Sequence, residues 1–284
     1  MHRAIGKFTL ISPTCLGWQA GALVLLCMAL PVRAQLTLVN IYNNVRYNQT
    51  TTVAPTTIFG AFFEMGCSVQ TAGDFNSASV TYPGPSMQSL PAVGTGFSYQ
   101  TTYYPSVSAL HGAYPFGTYT FTATNSVTMS SQTGVINYSA DYFTSSIPAF
   151  APASYTSLQS YKPSTALTVN FNSYTANPGD NDPLTFFTIY NPSNEQAIFT
   201  SGGLPNTATS ATIPAGTLEP GTEYTAELDF TDRLLGTDTV NDVPTLQGSD
   251  VRTDVSFITA TPEPASCGIL ATGMCLLLRR RSRR

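Results

Sequence analysis

The 284-residue sequence carries little charge. Asp, Glu, Lys and Arg make up 10% of it, against roughly a quarter in soluble domains generally. Basic residues are scarcest in the middle. Arg3, Lys7 and Arg33 lie near the start, and Arg279, Arg280, Arg281, Arg283 and Arg284 end the chain. Residues 35–260 keep only Arg46, Lys162, Arg233 and Arg252 against fifteen acids. The formal charge of −4 therefore averages two basic ends with a middle at −11. That middle excludes nucleic-acid binding, which needs a basic face, and it argues against docking on anionic lipid.

Catalytic side chains are scarce too. The middle segment has one histidine, His111, so two-histidine, one-carboxylate metal sites cannot be built within one chain. It has no Gly-x-Ser-x-Gly elbow, no glycine-rich phosphate loop and no Cys-x-x-Cys pair. His111 is expected to be a structural residue at or near the surface, and the chain is expected not to be an enzyme. The one tryptophan, Trp18, lies in the leader, which leaves Tyr99, Tyr103 and Tyr104 as rings able to stack on sugars. Of five cysteines, Cys15 and Cys27 fall in the leader and Cys267 and Cys275 in the tail. Cys67 alone cannot form an intramolecular disulfide. It is expected to be buried beside Phe62, Phe63 and Met65.

Neither apolar run is long. Gly21–Leu30 is about ten residues, too short to span a bilayer as a mature helix. It follows the charged start and precedes Pro31 and Val32-Arg33-Ala34. This is the layout of a signal peptide over 1–34, with export through the Sec translocon and signal peptidase cutting between Ala34 and Gln35. At the other end, over 261–284, Pro262-Glu263-Pro264 precedes an apolar stretch of about 14 residues and then the block Arg279, Arg280, Arg281, Arg283 and Arg284. As a helix that stretch reaches about 21 Å, short of a hydrocarbon core of about 30 Å. The arginines stay cytoplasmic by the positive-inside rule.

These three parts in this order resemble the PEP-CTERM sorting signal of Gram-negative bacteria. The resemblance covers the last 24 residues. It implies recognition by an exosortase in the inner membrane, processing near Pro262-Glu263-Pro264, and passage of the body through the periplasm to the cell surface or an exopolysaccharide matrix. A plain C-terminal anchor that is never processed is the alternative.

The middle segment is rich in Thr, Ser, Tyr, Phe and Val, with Gly and Pro as punctuation, the pattern of short strands between turns. In Gly117–Thr124, Tyr119, Phe121 and Ala123 share one face. In Glu223–Phe230, Tyr224, Ala226, Leu228 and Phe230 do. Further strands are expected over 36–42, 77–82, 97–101, 135–139, 167–172, 184–190, 197–200 and 255–259, a hairpin turn over 191–196, and a helical turn over 105–112. Each clear strand follows a Pro/Gly turn, then Thr, then Tyr: Tyr114-Pro-Phe-Gly-Thr-Tyr119 and Leu218-x-Pro-Gly-Thr-x-Tyr224. Tyr119 and Tyr224 thereby resemble tyrosine corners, and the second copy resembles the turn before strand F of fibronectin type III domains. Two corners about 105 residues apart lead to an all-β fold of two tandem antiparallel Ig-like β-sandwiches, 35–147 and 148–260, the tail forming a short hydrophobic helix. A single larger sandwich is the alternative.

The first expected domain is at −2 and the second at −9. Asp180 and Asp182 lie in a Pro/Gly turn and are candidate Ca²⁺ ligands, but without EF-hand spacing. Asp229, Asp232, Asp238, Asp242, Asp250 and Asp254 are expected to form a solvated acidic face. The functional expectation is an exported, non-catalytic surface or extracellular-matrix protein needing no cofactor. Its rivals are a carbohydrate-binding module or adhesin, and a secreted hydrolase with an unrecognised site. A concave aromatic strip would favour the binding module.

Overall fold

Three sheets account for most of the body. The computed structural model describes residues 35–84 and 86–261. Ala34, Pro262, Glu263, Pro264, Arg279, Arg280, Arg281, Arg283 and Arg284, and hence the expected cleavage site, sorting motif, hydrophobic helix and arginine block, lie outside the described residues, apart from Gln35. None of the described helices is long and apolar enough to cross a membrane.

The first half contains β1 (Leu36–Asn48), β2 (Ile58–Val69), β3 (Ser77–Tyr82), β4 (Ser86–Leu90), β5 (Ala92–Val93), β6 (Gly96–Gln100), α1 (Val107–Ala113), β7 (Gly117–Asn125) and β8 (Ser130–Tyr138). The second contains α2 (Pro152–Gln159), β9 (Leu167–Asn170), β10 (Leu184–Asn191), β11 (Gln196–Thr200), β12 (Leu204–Pro205), β13 (Ser210–Ile213), β14 (Glu223–Thr237) and β15 (Pro244–Ile258). The protein is all-β, built as sandwiches. The main sheet runs β11-β10-β14-β15-β1-β2-β6-β5, with β12 beside β10. The smaller sheets are β4-β3-β7-β8 and β13-β9.

Alternation dictates how these layers stack. On β1 the odd positions Val39, Ile41 and Val45 are buried with Ala61, Phe63, Met65 and Cys67 of β2, and with Val80, Tyr119, Phe121, Ile136 and Tyr138 of the four-stranded sheet. On β15, Val255 and Phe257 join Ala226, Leu228 and Phe230 of β14, and Val169 and Ile213 of the two-stranded sheet, in a second core. The register sets Val45 beside Val251, so both cores lie on the same face of the main sheet.

The cores fall on either side of residue 147, except that Val243 reaches into the first. The sheet beneath them does not break there. β1 and β15 pair in parallel over ten residues, from Val39 opposite Thr245 to Asn48 opposite Asp254. The expected wholly antiparallel tandem is corrected at this seam. Each half ends its share of the main sheet in a long strand with one unpaired edge, and each edge satisfies the other's N–H and C=O groups.

Candidate functional site

The even positions of β1 and β15 face the other way, where no second sheet covers them among the described residues. Register brings Asp250, Arg252 and Asp254 of β15 beside Thr231, Asp229 and Glu227 of β14 and Asn44, Arg46 and Asn48 of β1. On β2, Glu64 lies opposite Tyr42 and Phe62 opposite Asn44.

Arg252 is the hub. Its guanidinium lies 3.3 Å from Asp229, 3.4 Å from Asp250 and 3.8 Å from Glu227, and 5.4 Å over the Phe62 ring. Burial works against its charge, but Asp229, Glu227, Asp250 and Glu64 outweigh burial and raise its pKa. Burial also raises the carboxyls, Asp229 well above the ordinary range and Asp250 to about 6, although Arg252 pulls both back. Asp254 is pushed up to about 6 by burial, opposed by its ion pair with Arg46.

Aromatic rings flank this floor. Tyr103 meets Phe59 and Phe62 edge-on at 5.2 and 5.1 Å, and Arg46 lies 5.6 to 5.7 Å over Phe59 and Tyr103 while bonding the Tyr103 hydroxyl. Two β-strand glycines admit the rings. A Cβ on Gly60 would come within 2.9 Å of Tyr103, and one on Gly248 would collide with the Tyr42 ring. Three adjoining hollows follow the face. One of about 190 Å³ lies between Tyr42, Asp229 and Asp250. One of about 410 Å³ lies between Arg252, Tyr103 and Tyr190. One of about 460 Å³ lies between Asp254, Phe59 and Tyr155. Arg252 borders the first two, and Arg46, Tyr103, Thr225 and Asp254 border the last two, which joins them into one trough.

The expected solvated acidic face is therefore corrected. Asp229, Asp232, Asp250 and Asp254 are 7%, 0%, 4% and 5% exposed. They sit in mid-sheet strands with neighbours on both sides. Asp238 is buried as well. Despite that burial, bonds from Asn241, Val240 and Val135 hold its pKa below the ordinary value. Asp242 is a turn residue with φ 58°.

The remaining sequence-predicted residues are scattered. The Tyr119 hydroxyl donates to the Pro115 carbonyl at 3.0 Å, and the Tyr224 hydroxyl accepts from the Glu219 N–H at 3.0 Å. Gln35 is exposed. Asp182 pairs with Arg233, while Asp180 faces Asp232. Among the described residues no group of three or more His, Cys, Asp or Glu is arranged to hold a metal ion. His111 is half-buried, its Nε2 3.1 Å from Asp141 and 3.2 Å from the Asn43 amide. Cys67 is free and buried, and burial pushes its thiol up to about 11. Of the three tyrosines expected to be able to stack on sugars, Tyr103 reaches the trough, whereas Tyr99 and Tyr104 pack against the first core.

Composition alone does not show that the charges of the trough share one face of a strand. The alternation Asp250-x-Arg252-x-Asp254, with Val251, Val255 and Phe257 in the other phase, is the signal that would have found them.

Fold and site together define an all-β protein of fused sandwiches with one charged, aromatic-edged sheet face left open. No protein-family model matches the chain, and no curated protein does. Among solved structures, the FN1–FN3 domains of chicken CNTN1 match at 12% identity over 79% of this chain and 69% of that chain, with a TM-score of 0.27.

Proposed function

We propose that this chain is an exported, non-catalytic surface or extracellular-matrix protein of a Gram-negative-type bacterium, delivered by an exosortase acting on its tail. The observation that carries the reading is the order Pro262-Glu263-Pro264, apolar stretch, arginine block, set behind an N-terminal export signal. The body supports it on the catalytic side. His111 is turned toward Asp141, Tyr138 and Asn43, with no serine, threonine or cysteine among those partners and the Tyr138 hydroxyl bonded to Asp141, and the trough carboxylates are engaged by arginine. No cofactor is needed, and Ca²⁺ at Asp180 and Asp182 would have to displace Arg233 from Asp182. Replacing Pro262, Glu263 and Pro264 by alanine is expected to hold the protein in the inner membrane with its arginine block attached. Normal release of that variant, read by cell fractionation and mass spectrometry of the C-terminus, would overturn the sorting reading.

A second reading, a carbohydrate-binding module or adhesin, is favoured by one observation: Tyr103, 41% exposed, stands over the trough beside Arg46, Phe59 and Phe62. An aromatic face beside hydrogen-bonding charges suits a sugar ring. A glycan array is expected to give a sub-millimolar ligand that Tyr103→Ala loses. Absence of any hit leaves the spacer or matrix role as the reading of the body.

A further inference from the structure

The described body starts and ends on neighbouring strands. β1 begins at Leu36 and β15 ends at Ile258, and the two are parallel. The chain therefore comes in at one end of their ladder and leaves at the other. With Val39 level with Thr245 and a rise of about 3.3 Å per residue, Leu36 and Ile258 are offset by about 50 Å along the strands. A pull between these points drags β1 and β15 past each other along their length. The inter-strand hydrogen bonds, evenly spaced in a parallel ladder, then take the load together instead of opening singly from one end.

Neither strand can slide freely. β1 is held on its other side by β2, and β15 by β14 along its whole length. Side chains also cross the seam. Arg46 pairs with Asp254, and the Tyr42 ring lies over Gly248. The side chain of Gln49, at the end of β1, accepts from the N–H of Phe150 and donates to its carbonyl, gripping the second half. The same ladder joins the two cores, so they cannot part without breaking it.

We propose that the β1–β15 ladder is a shear clamp, and that the body is a load-bearing link between whatever grips its first half and whatever holds its C-terminal end. The biological load rests on the proposed surface or matrix role; the clamp rests on strand geometry alone.

Single-molecule force spectroscopy on the full chain tests it. Handle peptides are inserted before Gln35 and after Thr261 in one version, and before Gln35 and in the turn at Asn241 in another. The second pair grips adjacent ends of the ladder and peels it. At equal loading rate the first is expected to rupture at about twofold higher force or more, because forced opening follows the unfolding barrier along the pulling direction. It is expected to do so in one event releasing on the order of 750 Å of chain. Equal forces in the two directions, or two events each releasing about half that length, would overturn the clamp. Should the turn insertion fail to fold, the loading-rate dependence of the first version decides alone. A displacement to rupture of about 3 Å, one hydrogen-bond length, supports shear, and one of about 10 Å or more refutes it. Loss of sorting on alanine replacement of the tail motif removes the load without touching this measurement.

Discussion

Asp232 shows how a single buried acid makes the stability of this body depend on pH. It is fully buried on β14, accepts the Asn177 N–H at 3.0 Å, and faces the carboxyl of Asp180. Tyr174 packs beside it, its hydroxyl donating to the carbonyls of Leu184 and Thr231. Burial and the Asp180 carboxyl push the Asp232 pKa up to about 7, with the Asn177 bond opposing. An unfolded Asp titrates near 3.9, so the folded state holds this proton more tightly. The stability it contributes is full below about pH 4 and is lost as the pH rises through about 7. Asp250 and Asp254, both raised to about 6, act in the same direction. The melting temperature is therefore expected to fall between pH 5 and pH 8. Asp232→Asn should lessen that fall and raise the melting temperature at pH 8 by several degrees, at roughly 2–4 °C per kcal/mol for a body of this size. A thermal scan with the same pH slope in both proteins would remove Asp232 from the account.

At the scale of elements, legibility followed the hydrophobic pattern. β3 lies where alternation put it, and β7, β10 and β11 differ from expectation by a residue or less at each end. The hairpin turn between β10 and β11 carries a positive φ at Glu195, and the expected helical turn is α1, capped by Ser106. β2 was missed because Ile58–Val69 is apolar on both faces for part of its length. Phe62 serves the trough while Phe63 and Met65 serve the core, so alternation is absent there. β15 was seen only in its last turn of apolar residues, since its first part is polar on both faces. The polar residues fit a mid-sheet strand only through partners contributed by β14, β1 and β2, which no local window contains.

The two corners were legible because a Pro/Gly turn and a tyrosine lie within seven residues. They differ in chemistry. Tyr119 donates to a carbonyl, whereas Tyr224 accepts from an N–H. Tyr119→Phe leaves a carbonyl that retains a second lone pair, and is expected to cost about 1 kcal/mol in urea unfolding. Tyr224→Phe takes the acceptor from the Glu219 N–H in a partly buried bond and is expected to cost more, about 1–3 kcal/mol. Equal losses would show that the rings, not the hydroxyl bonds, fix the corners.

At the scale of the whole molecule, the two halves keep separate apolar cores but share polar surroundings. Gln247 of β15 donates to the Ala140 carbonyl, Ser249 accepts from the Tyr142 N–H, and Thr253 donates to the Pro148 carbonyl. Asp238, in the connection between β14 and β15, accepts from Val135 of β8. Each of these ties second-half chain to the first half or to the connection near residue 147. Opening one half would expose the edge of a long central strand, the ten-residue ladder and the carboxylate of Asp254 that Arg46 neutralises across it. An unpaired buried charge left by such opening costs about 3–5 kcal/mol, which is a large share of the stability of an ordinary domain. The body is thus expected to melt in one calorimetric transition, with calorimetric and van't Hoff enthalpies equal. Chain 148–261 made alone would present β15 as an unprotected edge and is expected to aggregate. Mixing it with chain 35–147 during refolding should restore a soluble one-to-one complex. Two separate transitions in the intact body, or a soluble monomeric second half, would mean that the cores are independent and that the shared sheet adds little to either.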